Sequence, residues 1–132
     1  MLIDKKSLIG KAVLAAKNAY SPYSNYSVGA ALITKDGKIF TGCNIENSSF
    51  SATVCAERTA FFNAVSQGIR EFAAIAVVGG KNGDFDTPAF PCGVCRQVMS
   101  EFCDENFKII LKNGEKQEEY TLSDLLPNSF TL

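Results

Sequence analysis

Three cysteines and one glutamate carry most of the chemistry that this sequence offers. Cys55-Ala56-Glu57 and Pro91-Cys92-Gly93-Val94-Cys95 each open a segment of helical pattern. Cys92 and Cys95 stand three residues apart, so on a helix they share a face, with Cβ atoms within ~6 Å. A helix N-terminus presents the positive end of its dipole and stabilises thiolates, and Cys55 begins its own helix in the same way. Three thiolates from two helix starts make a three-ligand zinc site with one position open, the arrangement of catalytic rather than structural zinc. The sum of one Zn²⁺ and three thiolates is negative, and Arg58 with the two helix dipoles is the available compensation.

The 132 residues include no histidine. A Ser-His-Asp triad, an imidazole base and a His-ligated metal are all excluded, so a proton shuttle must be a carboxylate, Lys, Tyr or Cys. Glu57 falls in line with Ala60, Phe61, Ala64 and Val65 on the apolar stripe of its helix. Facing the core would raise its pKa by desolvation. On position alone, an exposed first-turn Glu complementing the helix dipole fits equally well. Two further readings use the same cysteines: a thiol oxidoreductase working through Cys92 and Cys95 without metal, and a zinc-structured binding module with a fourth ligand such as Cys43. Neither explains a carboxylate in line with an apolar stripe. Cys43 and Cys103 lack such a context and read as small buried hydrophobes.

The elements that must position these groups follow from the pattern. Asp4 can cap a helix from about Lys5 to Ala19, with Leu8, Ala12, Ala15, Ala16 and Ala19 on one face and Ser21-Pro22 as its stop. Val28 to Thr34 and Lys38 to Gly42 read as a hairpin around Asp36-Gly37. Asn44 to Ser51 reads as a loop. A second helix begins near Cys55 and stops before Gly68. Glu71 to Gly79 holds a continuous apolar run, the mark of a strand covered on both faces. A third helix spans Gly93 to about Cys103, and Phe107 to Lys112 is another apolar strand with Asn113-Gly114 as its turn. A weaker strand at Glu119 to Leu122 and a short segment at Ser123 to Leu126 complete an α/β layered fold. Length and mass, 132 residues and 14.3 kDa, fit one domain over residues 1–132.

Composition bounds the partners. Apolar residues make up 46% and charged residues 20%, with 13 Lys and Arg against 14 Asp and Glu, so the chain is globular and lacks the basic surface of a protein that tracks polymeric nucleic acid. No apolar run approaches the ~20 residues of a membrane span. The N-terminus has no signal-peptide pattern, which points to the cytoplasm. In that setting five cysteines are more often metal or catalytic groups than disulfides.

Four segments together are more specific: Tyr26-Ser27-Val28-Gly29-Ala30-Ala31, Gly42-Cys43-Asn44-Ile45-Glu46-Asn47, Cys55-Ala56-Glu57-Arg58-Thr59-Ala60 and Pro91-Cys92-Gly93-Val94-Cys95-Arg96-Gln97. Through them the sequence resembles the zinc-dependent nucleoside deaminases, most closely the short homotetrameric cytidine deaminases, over nearly its whole length. The resemblance implies a three-layer α/β/α sandwich with a mixed five-stranded sheet. It implies Zn²⁺ on Cys55, Cys92 and Cys95, with Glu57 as proton shuttle to a zinc-activated water. Asn44 and Glu46 fall where the ribose hydroxyls bind, and the Ala56 backbone where the pyrimidine is hydrogen-bonded. Arg58 would hydrogen-bond the thiolates, with Gln97 in a supporting place near the metal. Tyr26 takes the base-stacking position, where the family commonly has Phe. Phe50 and Phe130 match aromatics that line the pocket, Phe130 supplied by a neighbouring subunit. The implied reaction is hydrolysis of free cytidine or deoxycytidine to uridine or deoxyuridine and ammonia, in pyrimidine salvage. The nearest rival is a deaminase of a nucleoside-like antibiotic such as blasticidin S, against which the ribose-reading segment at residues 42–47 argues.

Overall fold

In a computed structural model that describes residues 2–132, the Asp4 side chain accepts the Ser7 N–H at 3.1 Å and starts helix α1 (Lys5–Ala16). The helix ends before the expected Ala19. The N–H groups of Lys17, Asn18 and Ala19 bond to carbonyls three residues back, a tightening that commonly closes a helix. Tyr20 then leaves to exchange backbone bonds with Asn44 and Glu46 at 3.0 and 2.8 Å. Strands β1 (Ser27–Thr34) and β2 (Ile39–Cys43) form the expected hairpin, with Gly37 at φ 91 in the turn. Helix α2 (Ala56–Ser66), strand β3 (Phe72–Gly80) and helix α3 (Gly93–Phe102) follow.

Strand β4 (Lys108–Asn113) turns at Gly114 into β5 (Lys116–Thr121). The last strand begins three residues before the expected Glu119, because an edge strand of polar residues shows little apolar alternation. Thr121 and Asp124 form a capping box on α4 (Leu122–Leu125), which satisfies two N-terminal donors reciprocally.

The strand order is β2-β1-β3-β4-β5, with β3 and β4 parallel and every other pair antiparallel. A parallel neighbour needs a crossover, and α3 lies in it. Along β3 the side chains alternate between two cores. Ile75 and Val77 pack with Ala60, Phe61, Cys95 and Met99 on the α2–α3 side. Ala74, Ala76 and Val78 pack with Leu8, Ala12 and Ala16 of α1 on the other. The result is a three-layer α/β/α arrangement around a mixed five-stranded sheet. Phe61 anchors the first core, its ring 5.0 Å from that of Phe72 and 6.0 Å from that of Phe107.

Gly42 lets α2 sit close on the sheet. A Cβ there would stand 2.5 Å from the Ala60 nitrogen and 2.6 Å from the Ala56 oxygen, so bare strand backbone receives the first turn of the helix. The two edges differ. β5 carries Lys116, Glu118 and Glu119, whereas β2 carries no charge and leaves Ile39 and Thr41 exposed. Among the described residues, no helix is long and apolar enough to cross a membrane.

Candidate active site

Cys55 is the N-cap of α2 and Cys92 the N-cap of α3, so two helix starts converge. The Cys92 sulfur accepts the Cys95 N–H at 3.5 Å and lies 3.7 Å from the Cys55 sulfur. All three sulfurs lie within 4.8 Å of one another. Zn–S bonds of ~2.3 Å at tetrahedral angles separate two sulfurs by ~3.8 Å. The donor set and its spacing fit zinc. Cys43 and Cys103 are not part of the cluster, and among the described residues no second group of three metal-ligating side chains comes together. Burial raises the Cys43 thiol and pushes Cys103 up to about 12. Both are half-buried, short of the full burial expected, and Cys103 packs against the core on the α2–α3 side.

The sulfurs share their protons unequally. A hydrogen bond from Cys95, with further help from Arg58 and Cys92, pulls Cys55 down to about 5. Cys95, the donor in that pair, is held well above the ordinary thiol range. Arg58 Nη2 donates to the Cys55 sulfur at 3.5 Å, while its Nε is buried with no hydrogen-bond partner.

Glu57 is 4% exposed, so the core-facing reading of its position is the correct one. Desolvation, with the negative Cys55 sulfur as a smaller contribution, pushes its carboxyl up to about 7. It opens, with Cys55 and Cys92, onto a cleft of about 430 Å³.

Tyr26, Asn44 and Glu46 line the same cleft. Asn44 is buried, its Oδ1 accepting the Val28 N–H and its Nδ2 donating to the Tyr26 carbonyl, both at 2.8 Å. One amide proton and one lone pair remain for a ligand. The Glu46 carboxylate accepts the Tyr23 N–H at 2.9 Å, the Ser24 N–H at 3.2 Å and the Ser24 hydroxyl at 2.5 Å. The Ser24 hydroxyl bond is the main reason its pKa lies below the usual carboxylate value. Both side chains thus fasten the loop that carries Tyr26.

The other candidates stand apart from this wall. Ala56 is fully buried in the first turn of α2, between two residues that do face the cleft. Phe50 sits in a short 3₁₀ turn, 87% exposed, against Tyr23 and Asn47 in a neighbouring depression. Phe130 is 67% exposed and also lies outside the cleft of its own chain. The Gln97 amide donates to the Phe130 carbonyl at 3.3 Å, so it holds the C-terminal tail instead of a sulfur. Arg96, beside it, donates to the carbonyls of Pro91 and Leu125 at 2.7 and 2.6 Å. Sequence reasoning missed the Pro88-Ala89-Phe90 wall and Ser24. Proline and an aromatic directly before Cys92 were the available signal.

The comparisons agree with this geometry. Residues 3–111 match the family model described as the cytidine and deoxycytidylate deaminase zinc-binding region. A cytidine deaminase of Sporosarcina psychrophila is 50% identical over 130 residues, covering 98% of this chain and 93% of that one. The crystal structure of a cytidine deaminase from Burkholderia pseudomallei superposes with a TM-score of 0.87 at 48% identity, covering 97% of this chain and 100% of that chain. A blasticidin-S deaminase of Bacillus cereus is also similar, 35% identical over 112 residues, covering 82% of this chain and 79% of that one. Fold, sulfur cluster and relatives together define a zinc-dependent deaminase, a hydrolase by class. Within that class, the chain belongs to the cytidine and deoxycytidylate deaminase family.

Proposed function

We propose that residues 1–132 form one catalytic domain that hydrolyses free cytidine and deoxycytidine to uridine and deoxyuridine, releasing ammonia, as a cytoplasmic pyrimidine-salvage enzyme. The observation that carries this reading is Glu57, buried beside a cluster of three sulfurs of which Cys55 and Cys92 line the cleft, with its carboxyl pushed up to about 7. A carboxyl of that pKa can take and return a proton near neutral pH. Zinc held by Cys55, Cys92 and Cys95 would supply the electrophilic pull that makes water nucleophilic near neutrality. Glu57 takes the proton of the attacking water and delivers it to N3 of the base, which makes C4 electrophilic. The C4–O bond forms, Glu57 takes the remaining proton of the new C4 hydroxyl and passes it to the exocyclic nitrogen, and the C4–N bond breaks, its electron pair leaving with ammonia as the C4 carbonyl forms.

Arg58 offsets the negative charge of the thiolates. Tyr26 offers its ring to the base, and the Ala56 N–H meets the pyrimidine. The spare amide proton of Asn44 and the ionised Glu46 meet the ribose hydroxyls. Phe50 and Phe130, exposed in one chain, would close the pocket in a homotetramer, Phe130 reaching a neighbour's cleft. Gln97 then acts on that closure through the tail it holds.

The test is conversion of cytidine and deoxycytidine by the zinc-loaded protein, with blasticidin S in parallel. Glu57→Gln should keep fold and zinc and lose at least ~10²-fold in turnover, the low end for a positioned acid-base group. Turnover of cytidine that E57Q lacks supports the reading. Turnover of blasticidin S alone moves the substrate to the antibiotic, and no turnover with zinc bound overturns the proposal.

A further inference from the structure

Gly79 lies near the end of β3, opposite Val28 of β1 and fully covered. Its φ is not positive, so the chain does not need glycine there for backbone conformation. It needs the space. A Cβ at this position would stand 2.9 Å from both Cε1 and Oη of Tyr26 and 3.0 Å from the Ala89 Cβ. Unstrained carbon contacts lie at about 3.5–4.0 Å. The Tyr26 ring, hydroxyl included, therefore rests directly on strand backbone, with Ala89 beside it.

The backbone that carries the ring is tied down. Asn25, the residue before it, turns the chain through the left-handed region at φ 57, which asparagine adopts more readily than most residues. The Tyr26 N–H donates to the Ser24 hydroxyl at 3.0 Å, and the Tyr26 carbonyl accepts from Asn44 at 2.8 Å. Ser24 and Asn44 are themselves fixed, to Glu46 and to the Val28 N–H. With the backbone held on both sides, a side chain at position 79 would swing the ring toward the open cleft.

We propose that Gly79 is a positioning residue, which by carrying no side chain seats Tyr26 against β3 and so sets the width of the cleft where the base enters. Gly79 and Tyr26 form a matched pair: the phenol hydroxyl occupies the volume that a Cβ at position 79 would claim. The inference rests on the reading of Tyr26 as the platform for the base, and it assigns the position of that platform to a residue that touches no substrate. Because the reacting groups sit on α2 and α3, displacing the ring acts on binding before it acts on turnover.

The experiment compares G79A, Y26F, the G79A/Y26F double variant and Y26A, each with zinc content and thermal unfolding measured alongside cytidine kinetics. A displacement of ~1 Å should raise the KM of G79A about tenfold or more while kcat stays within about threefold. Zinc stoichiometry should stay at the parent value. Removing the hydroxyl frees one of the three contacts at 3.0 Å or less, so the KM increase that G79A causes should be smaller in the Y26F background than in the parent. If G79A alone does not fold, restored folding in the double variant supports the pairing. Failure of both to fold assigns Gly79 to sheet packing and overturns it. A raised KM in Y26A with a parental KM in G79A overturns the role of Gly79 alone. A parental KM in Y26A overturns the platform reading of Tyr26, and the proposal with it.

Discussion

Arg58 places a fixed positive charge against a cluster whose ligands would otherwise repel one another. Its Nη2 donates to the Cys55 sulfur, and its Nε finds no partner, a cost that a nearby ion cluster can offset. Outer groups that hold metal ligands commonly change metal affinity by 10–100-fold when removed. Arg58→Gln should therefore release zinc to a competing chelator at least about tenfold faster than the parent while keeping its fold. Equal release rates would remove Arg58 from the charge balance. The core-facing direction of Glu57 was half-legible beforehand, because a helical period fixes which side a residue takes and leaves open which side is wet. Cys92 and Cys95 were more legible, since residues three apart on one helix meet wherever that helix goes. Gln97 was not, because its partner lies in a tail whose path no local pattern encodes. Phe90 escaped for the same reason: a loop has no period from which a wall can be read.

Elements announced themselves in proportion to how much they bury. β3, covered on both faces, was readable as an apolar run. β5, polar on an edge apart from Tyr120, begins three residues before its sequence signal, and α1 stops about a turn short of its alanine stripe because the chain turns away. Charge joins these two ends of the fold. Lys5 at the start of α1 lies 3.0 Å from Glu119 of β5, and Lys108 of β4 lies 3.6 Å from the same carboxylate. The two lysines, Lys5 foremost, hold the Glu119 carboxyl below its ordinary value. An acid whose pKa is lower folded than unfolded stabilises the fold above its unfolded pKa, and that contribution disappears as pH falls through the folded value. Glu119→Gln should thus lower the melting temperature slightly near neutral pH, with the difference closing in the acid range. These groups are one-third to two-fifths exposed, so the effect is small and salt-sensitive. A difference that persists with both proteins well below the carboxylate range would mean packing, not charge.

For the whole molecule, the exposed aromatics make assembly testable apart from catalysis. If Phe130 closes a neighbour's cleft, E57Q subunits and Phe130→Ala subunits, each poorly active alone, should complement when co-expressed. Sites built from the Glu57 of one subunit and the Phe130 of the other are then complete. Activity no greater than the sum of the two separate preparations would place Phe130 outside the pocket. Assembly enters the sequence reading only through the family resemblance, since nothing in Phe130 or Phe50 themselves marks them as shared between chains, whereas the layered fold follows from helices alternating with strands. The contrast between the sheet's two borders has a consequence of another kind. Unpaired N–H and C=O groups on a border strand are a template for another chain, and charges there discourage the match. β5 is protected in this way; Ile39-Phe40-Thr41-Gly42-Cys43 is not. Growth of intermolecular β-structure during heating or crowded expression would start from that one side, which makes aggregation in this protein directional.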